Sequence, residues 1–293
     1  MSIVLVLLTV LCFTAATVLV KVYQMNAGAS RFPAAYFNLI YGGASFLLLL
    51  CLKGFRLDYS LNMLLLAAGV GGGMLVYNAL KIRAVSLGPV AIVSMSYVLG
   101  GIFVPSAFGI LFLKEPLTLT KGVALLLFVL SFVPIILAQR TSMKLSAKLV
   151  VCCIGLFLLD GVILTMSKVV QFFLTSPLNA QDYIALYSFF CFMLSLINMA
   201  PSAKQVQPEE LSGTFTLRNF FLICFSGLFN TGANVLNIII QYDLPTSITF
   251  PIVQAGTLLL NTLAILLIYR EKPNKPTVIS LLLLCAGIVC ISL

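Results

Sequence analysis

The chain has 293 residues, 61% of them hydrophobic and 9% charged, with a mean hydropathy of +1.14 and a formal net charge of +9. A soluble domain is nearer half apolar and a quarter charged, so this chain carries far more apolar surface than a soluble core can hide, and a water-soluble fold is excluded. Histidine is absent, and the 17 basic residues lie mostly between apolar runs, an arrangement that suits lipid headgroups rather than nucleic acid.

Ten apolar runs long enough to cross a bilayer follow one another, near 2–22, 33–52, 60–82, 88–112, 119–138, 147–169, 182–200, 217–241, 245–269 and 277–293. They are continuous rather than alternating, which predicts helices and not a barrel. The first run lacks a basic leader and exceeds a signal-peptide core, so a retained first span is expected. The longest polar connection is PSAKQVQPEELSGT at 201–214. The eight cysteines sit within or beside apolar runs and show no zinc or disulfide spacing, so they are expected as packing residues. No metal, cofactor or catalytic group is expected.

The second half of the chain echoes the first. Asn234 falls on Asn78, Pro245 on Pro89, Gly256 on Gly100 and Glu271 on Glu115, each 156 positions apart. Lys168 and Gln171 fall on Lys21 and Gln24, each 147 positions apart. The expected architecture is therefore an all-α polytopic membrane protein, ten transmembrane helices in two five-helix repeats, 1–141 and 142–293, integrated into one membrane domain. An odd number of spans per copy inverts the second copy. Inverted repeats underlie alternating-access transporters, whose sites lie at the repeat interface near the midplane.

Polar residues inside the runs supply the candidate site. Helix one carries Thr14, Thr17, Lys21 and Gln24 on one face. Lys21 and its counterpart Lys168 lie near helix ends, where they either flank a solute path or snorkel to the interface. Helix three offers Tyr77, Asn78 and Lys81. Helix four offers Tyr97 ahead of Pro105, and helix nine offers Gln254 after Pro251. Prolines inside helices bend them, and such bends suit gates. Asp160 is the acid placed deepest in any span, which makes it a candidate for proton or ion coupling or, in the plainer reading, half of a buried ion pair. Asn230, Asn234, Asn237 and Gln241 are spaced i, i+4, i+7 and i+11 on helix eight, hence on one face. Amides facing lipid are costly, so this face predicts either the polar wall of a solute cavity or hydrogen-bonded glue between helices.

Ten helices in two copies, Gly88-Pro89 opening helix four and Lys114-Glu115-Pro116 ending it, resemble the drug/metabolite transporter superfamily, EamA type, over the whole chain. The second copy departs from that ending, reading Arg270-Glu271-Lys272 before Pro273. The resemblance implies a secondary transporter that moves, most often exports, a small polar metabolite such as an amino acid, a related organic anion or a nucleobase. It implies an integral cell membrane protein, bacterial and cytoplasmic (inner) membrane by type, acting as a monomer or homodimer with a small-molecule substrate, the lipid bilayer and no nucleic acid as partners. Small multidrug members rely on an acid in their first helix. Asp160 stands on the repeat counterpart of that helix, and Phe13 holds the matching place on helix one. The other readings are a lipid-linked flippase of the same superfamily and an intramembrane enzyme, for which the residue inventory is poor. Orientation is in conflict. Five basic residues (Lys53, Arg56, Lys114, Lys121, Lys168) share the side of the N-terminus and 17 − 5 = 12 lie opposite, which puts both termini outside. The resemblance puts both inside.

Overall fold

The computed structural model describes residues 2–27, 31–87, 90–139, 146–173, 179–203, 214–269 and 275–292. Among them every regular element is helical. The order is α1 (Ser2–Ala27), α2 (Arg31–Leu52), α3 (Leu61–Leu87), α4 (Val90–Phe112), α5 (Leu119–Gln139), α6 (Ala147–Val169), a 3-10 turn (Val170–Phe172), α7 (Ala180–Ala203), α8 (Leu217–Asp243), α9 (Thr246–Tyr269) and α10 (Lys275–Ser292). A helix satisfies its own backbone polar groups, which lipid cannot do, so continuous apolar runs settle into helices. Among the described residues nine helices are long and apolar enough to cross a membrane, and α5 contributes a shorter apolar stretch, Leu119–Pro134. The chain is a polytopic membrane protein.

Helix starts follow local chemistry. Ser60, Thr118, Ser146 and Thr216 each accept the backbone N–H three residues on, at 3.2–3.3 Å, and so cap α3, α5, α6 and α8. Helix ends run further than hydropathy predicts. α1 reaches Ala27, α3 reaches Leu87, and α8 takes in Asp243, which the sequence alone assigns to a link. The Leu244 N–H still donates to the Ile240 carbonyl at 3.0 Å, and only Pro245, with no N–H to give, stops the pattern.

The chain divides into two compact units, and each draws on both sequence halves. One comprises Met1–Thr14, Arg83–Thr165 and Ile240–Leu293. Here α4 packs on α9 and α5 on α10, with lesser contacts between α4 and α5, between α9 and α10 and between α5 and α9. Met95, Val98, Ile102, Ala124, Phe128, Phe132, Ala255, Leu284 and Ile291 form its core. Helices α4 and α6 meet almost backbone to backbone. A Cβ on Gly100 would strike the Phe157 carbonyl, and one on Gly161 would strike Val104.

The other unit comprises Ala15–Ile82 and Met166–Ile239, with α2 packed along α7. Gly42 of α2 lies against the α7 backbone at Ser188 and Phe192, and Gly71 of α3 against Tyr187 and Phe190. Small residues permit this approach in lipid, where packing rather than water drives association. Tyr23, Ala27, Tyr36, Tyr41 and Ile223 are its aromatic core, and the Tyr23 hydroxyl donates to the Pro33 carbonyl at 2.7 Å. Asp182, fully buried in the first turn of α7, pairs with Lys53 at 3.0 Å. A carboxylate is favoured at that end of a helix.

Candidate functional site

In the α2/α7 unit, α2 is a polar hub. Asn38, Tyr41 and Ser45 stand at i, i+3 and i+7, hence on one face. Each takes a different tie. The Asn78 amide donates to Asn38 Oδ1 at 2.6 Å. The Asn230 amide donates to the Tyr41 hydroxyl. The Thr231 hydroxyl bonds Ser45 Oγ at 2.8 Å. So α3 and α8 are both sewn to α2 through Asn78 and Asn230, two of the amides for which the sequence leaves a cavity wall and helix–helix glue both open. Near helix ends the Asn26 amide donates to Asn219 Oδ1 at 3.3 Å, and farther along the same two helices the Ser226 hydroxyl donates to the Ala16 carbonyl at 3.2 Å.

The other amides of α8 behave differently. Asn234 is half-buried, and its N–H returns to the Asn230 carbonyl of its own helix at 2.8 Å. That bond sews no neighbour. Asn237 is buried, and its Oδ1 has no hydrogen-bond partner among the described residues. Just beyond it, the Gln171 amide donates to the Ile238 carbonyl at 2.8 Å, tying the turn after α6 to α8. Lys81 sits over the Tyr77 ring, its Nζ 5.7 Å from the centroid, within the range of a cation–π contact. Lys21 and Lys168 are half-buried. All these residues belong to the α2/α7 unit.

The α4/α9 unit holds Tyr97, Pro105, Asp160, Gln241, Pro251 and Gln254. It brings Asp160 of α6 and Gln254 of α9 together: the Gln254 amide donates to Asp160 Oδ2 at 3.4 Å. Gly101 of α4 makes the room. A Cβ there would stand 2.7 Å from Asp160 Oδ2 and would overlap the Gln254 amide. Pro105 adds a further polar group. With no N–H of its own, it leaves the Gly101 carbonyl without its helical donor. A carboxylate, a carboxamide and a released carbonyl thus belong to one small neighbourhood. Such a set can hold a proton or a small cation. Both Pro105 and Pro251 are buried inside their helices. Tyr97 packs against the apolar core of the unit. Gln241 is buried near the end of α8. Thr257 Oγ1 and Asn261 Oδ1, one turn apart on α9, have no hydrogen-bond partner among the described residues.

Sequence reasoning missed the α2 face of Asn38, Tyr41 and Ser45. Its spacing was there to be read, but single hydroxyls and one amide in an aromatic run resemble ordinary packing until their partners are known.

No family model and no curated protein matches the chain. Among solved structures, one protein crystal structure superposes with a TM-score of 0.71 at 14% identity, covering 99% of this chain and 95% of that one. At that identity the likeness shows a shared fold.

Proposed function

We propose that the chain is a secondary transporter of the drug/metabolite superfamily, EamA type, which moves a small polar metabolite across a cell membrane by alternating access. A bacterial cytoplasmic membrane is the proposed setting. The observation that carries this reading is the pairing of helices. The most extensive contacts join α2 to α7, α4 to α9 and α5 to α10, and in every pair the partners stand five helices apart. Among the lesser contacts, α4 with α5 and α9 with α10 are counterparts, while that of α5 with α9 falls outside the scheme. Packing of this kind is what two inverted copies of a five-helix unit would produce. It supports the repeat read from Asn78 and Asn234, Gly100 and Gly256, Glu115 and Glu271. Inverted repeats serve transporters because exchanging the conformations of the two copies exchanges the exposed side.

The substrate class follows from the inventory. Amides that donate and accept, tyrosines and half-buried lysines suit an amino acid, a related organic anion or a nucleobase. Asp160 with Gln254 is the proposed coupling site for a proton or cation. Among the amides, Asn234 is the one to test, because its N–H is tied only to its own helix. Asn234→Ala should lower transport at least about tenfold, as loss of a buried substrate hydrogen bond does, while leaving folded yield within the ordinary range. Parallel loss of folded yield and transport would instead make Asn234 a packing residue.

A further inference from the structure

The motif Lys114-Glu115-Pro116 ends α4, and nothing in the transport reading uses its carboxylate. Helix α9 shows what it does. The α9 cap position is Pro245, whose carbonyl accepts the Ile248 and Thr249 amides at 3.1 and 3.0 Å. The Thr246 and Ser247 amides precede them and have no acceptor within the helix. Helices α3, α5, α6 and α8 meet this need with a Ser or Thr at the cap. Proline has no such side chain. The acceptor comes instead from Glu115. Thr246 N–H donates to its Oε1 at 2.7 Å and Ser247 N–H to its Oε2 at 2.8 Å, across 131 and 132 residues of sequence.

The seat of that carboxylate is built for it. Lys114 adopts the left-handed conformation, with φ 54°, and so lets the Glu115 N–H return to the Gly109 carbonyl at 3.1 Å. Gly109 has no side chain to obstruct it; a Cβ there would stand 2.9 Å from Glu115 Oε2. Lys121, in the first turn of α5 and only 7% exposed, donates to Ser247 Oγ and to the Pro116 carbonyl, both at 2.9 Å. A carboxylate and an ammonium therefore hold the same residue, Ser247. Charge favours the arrangement, because the start of a helix attracts an anion.

We infer that the Glu115 carboxylate is a latch that fastens the first turn of α9 to the end of α4, so that the two move as one body, with Lys121 a neighbouring contact to the Ser247 side chain and not part of the latch. Glu115 is the positioning residue for α9, the helix that carries Pro251 and Gln254. The latch stands on these contacts alone, whatever the protein carries, and its test needs no substrate.

Hydrogen–deuterium exchange on the full chain in lipid nanodiscs reads the latch directly, using overlapping fragments across 244–250 and 275–292. In the wild type the Thr246 and Ser247 amides should be protected. Glu115→Ala should speed their exchange about tenfold or more while 275–292 keeps its rate. Lys121→Met, which spares the carboxylate, should leave both amides protected. Equal exchange at these two amides in wild type and Glu115→Ala overturns the latch. Should Glu115→Ala loosen the whole chain, Glu115→Gln decides. It keeps the side-chain shape and loses the charge, so faster exchange confined to 244–250 supports the latch and a wild-type rate there overturns it.

Discussion

At the scale of single residues, periodicity tells which face an amide occupies and not what it meets. Asn230 and Asn234 share a face of α8, one turn apart, yet Asn230 is spent on Tyr41 of α2 and Asn234 on its own helix. Asn78 echoes Asn234 in sequence and is spent on Asn38. Buried polar groups in lipid find whatever partner lies nearest, and that depends on which helices become neighbours. Asp160 was legible as a rare intramembrane acid. Its contact with Gln254, and the room that Gly101 leaves for both, were not, because they require α4, α6 and α9 at one place. If this neighbourhood couples transport to a proton, Asp160→Asn should abolish the dependence of transport rate on an imposed pH gradient. Folded yield should be retained, since asparagine keeps the shape and can still accept from Gln254. Undiminished pH dependence in that variant would remove Asp160 from coupling.

At the scale of helices, ends and crossings carry the information. The ten apolar runs were readable because a bilayer demands long uninterrupted apolar segments. Their ends were not, because polar residues such as Asp243 continue a helix until a proline stops it. The Gly100–Gly161 crossing fixes α4 on α6. Gly100→Ala forces a methyl group into the Phe157 carbonyl and should cost about 1–3 kcal/mol, measurable as a lower unfolding temperature in detergent. Gly69, with open space where its Cβ would lie, is the control that should tolerate alanine. The Glu115 contact adds a pH dependence. Burial pushes the carboxyl up, but the hydrogen bonds from Ser247 and Thr246 outweigh it and hold Glu115 below its ordinary value of 4.5. A depressed carboxylate stabilises the fold in full above the ordinary value and loses that contribution as pH falls through the folded value. The difference in unfolding temperature between wild type and Glu115→Gln should therefore stay constant above 4.5 and shrink below it.

At the scale of the whole molecule, the repeat was the strongest signal in the sequence, and the most extensive helix contacts join α2 with α7, α4 with α9 and α5 with α10. Each of the two compact units combines segments from both sequence halves, which become neighbours only once the helices pack. The transport reading joins this architecture to the polar residues that the apolar helices tolerate, and it stands or falls on solute movement. The decisive measurement compares the full metabolite content of lipid vesicles that contain the purified protein with that of empty vesicles, loaded with a cell extract and held with and without a pH gradient. A small polar metabolite should cross only in the protein-containing vesicles, saturably, and far more slowly with Asn234→Ala. Identical contents in the two sets of vesicles, for every solute and in both gradient conditions, would contradict it.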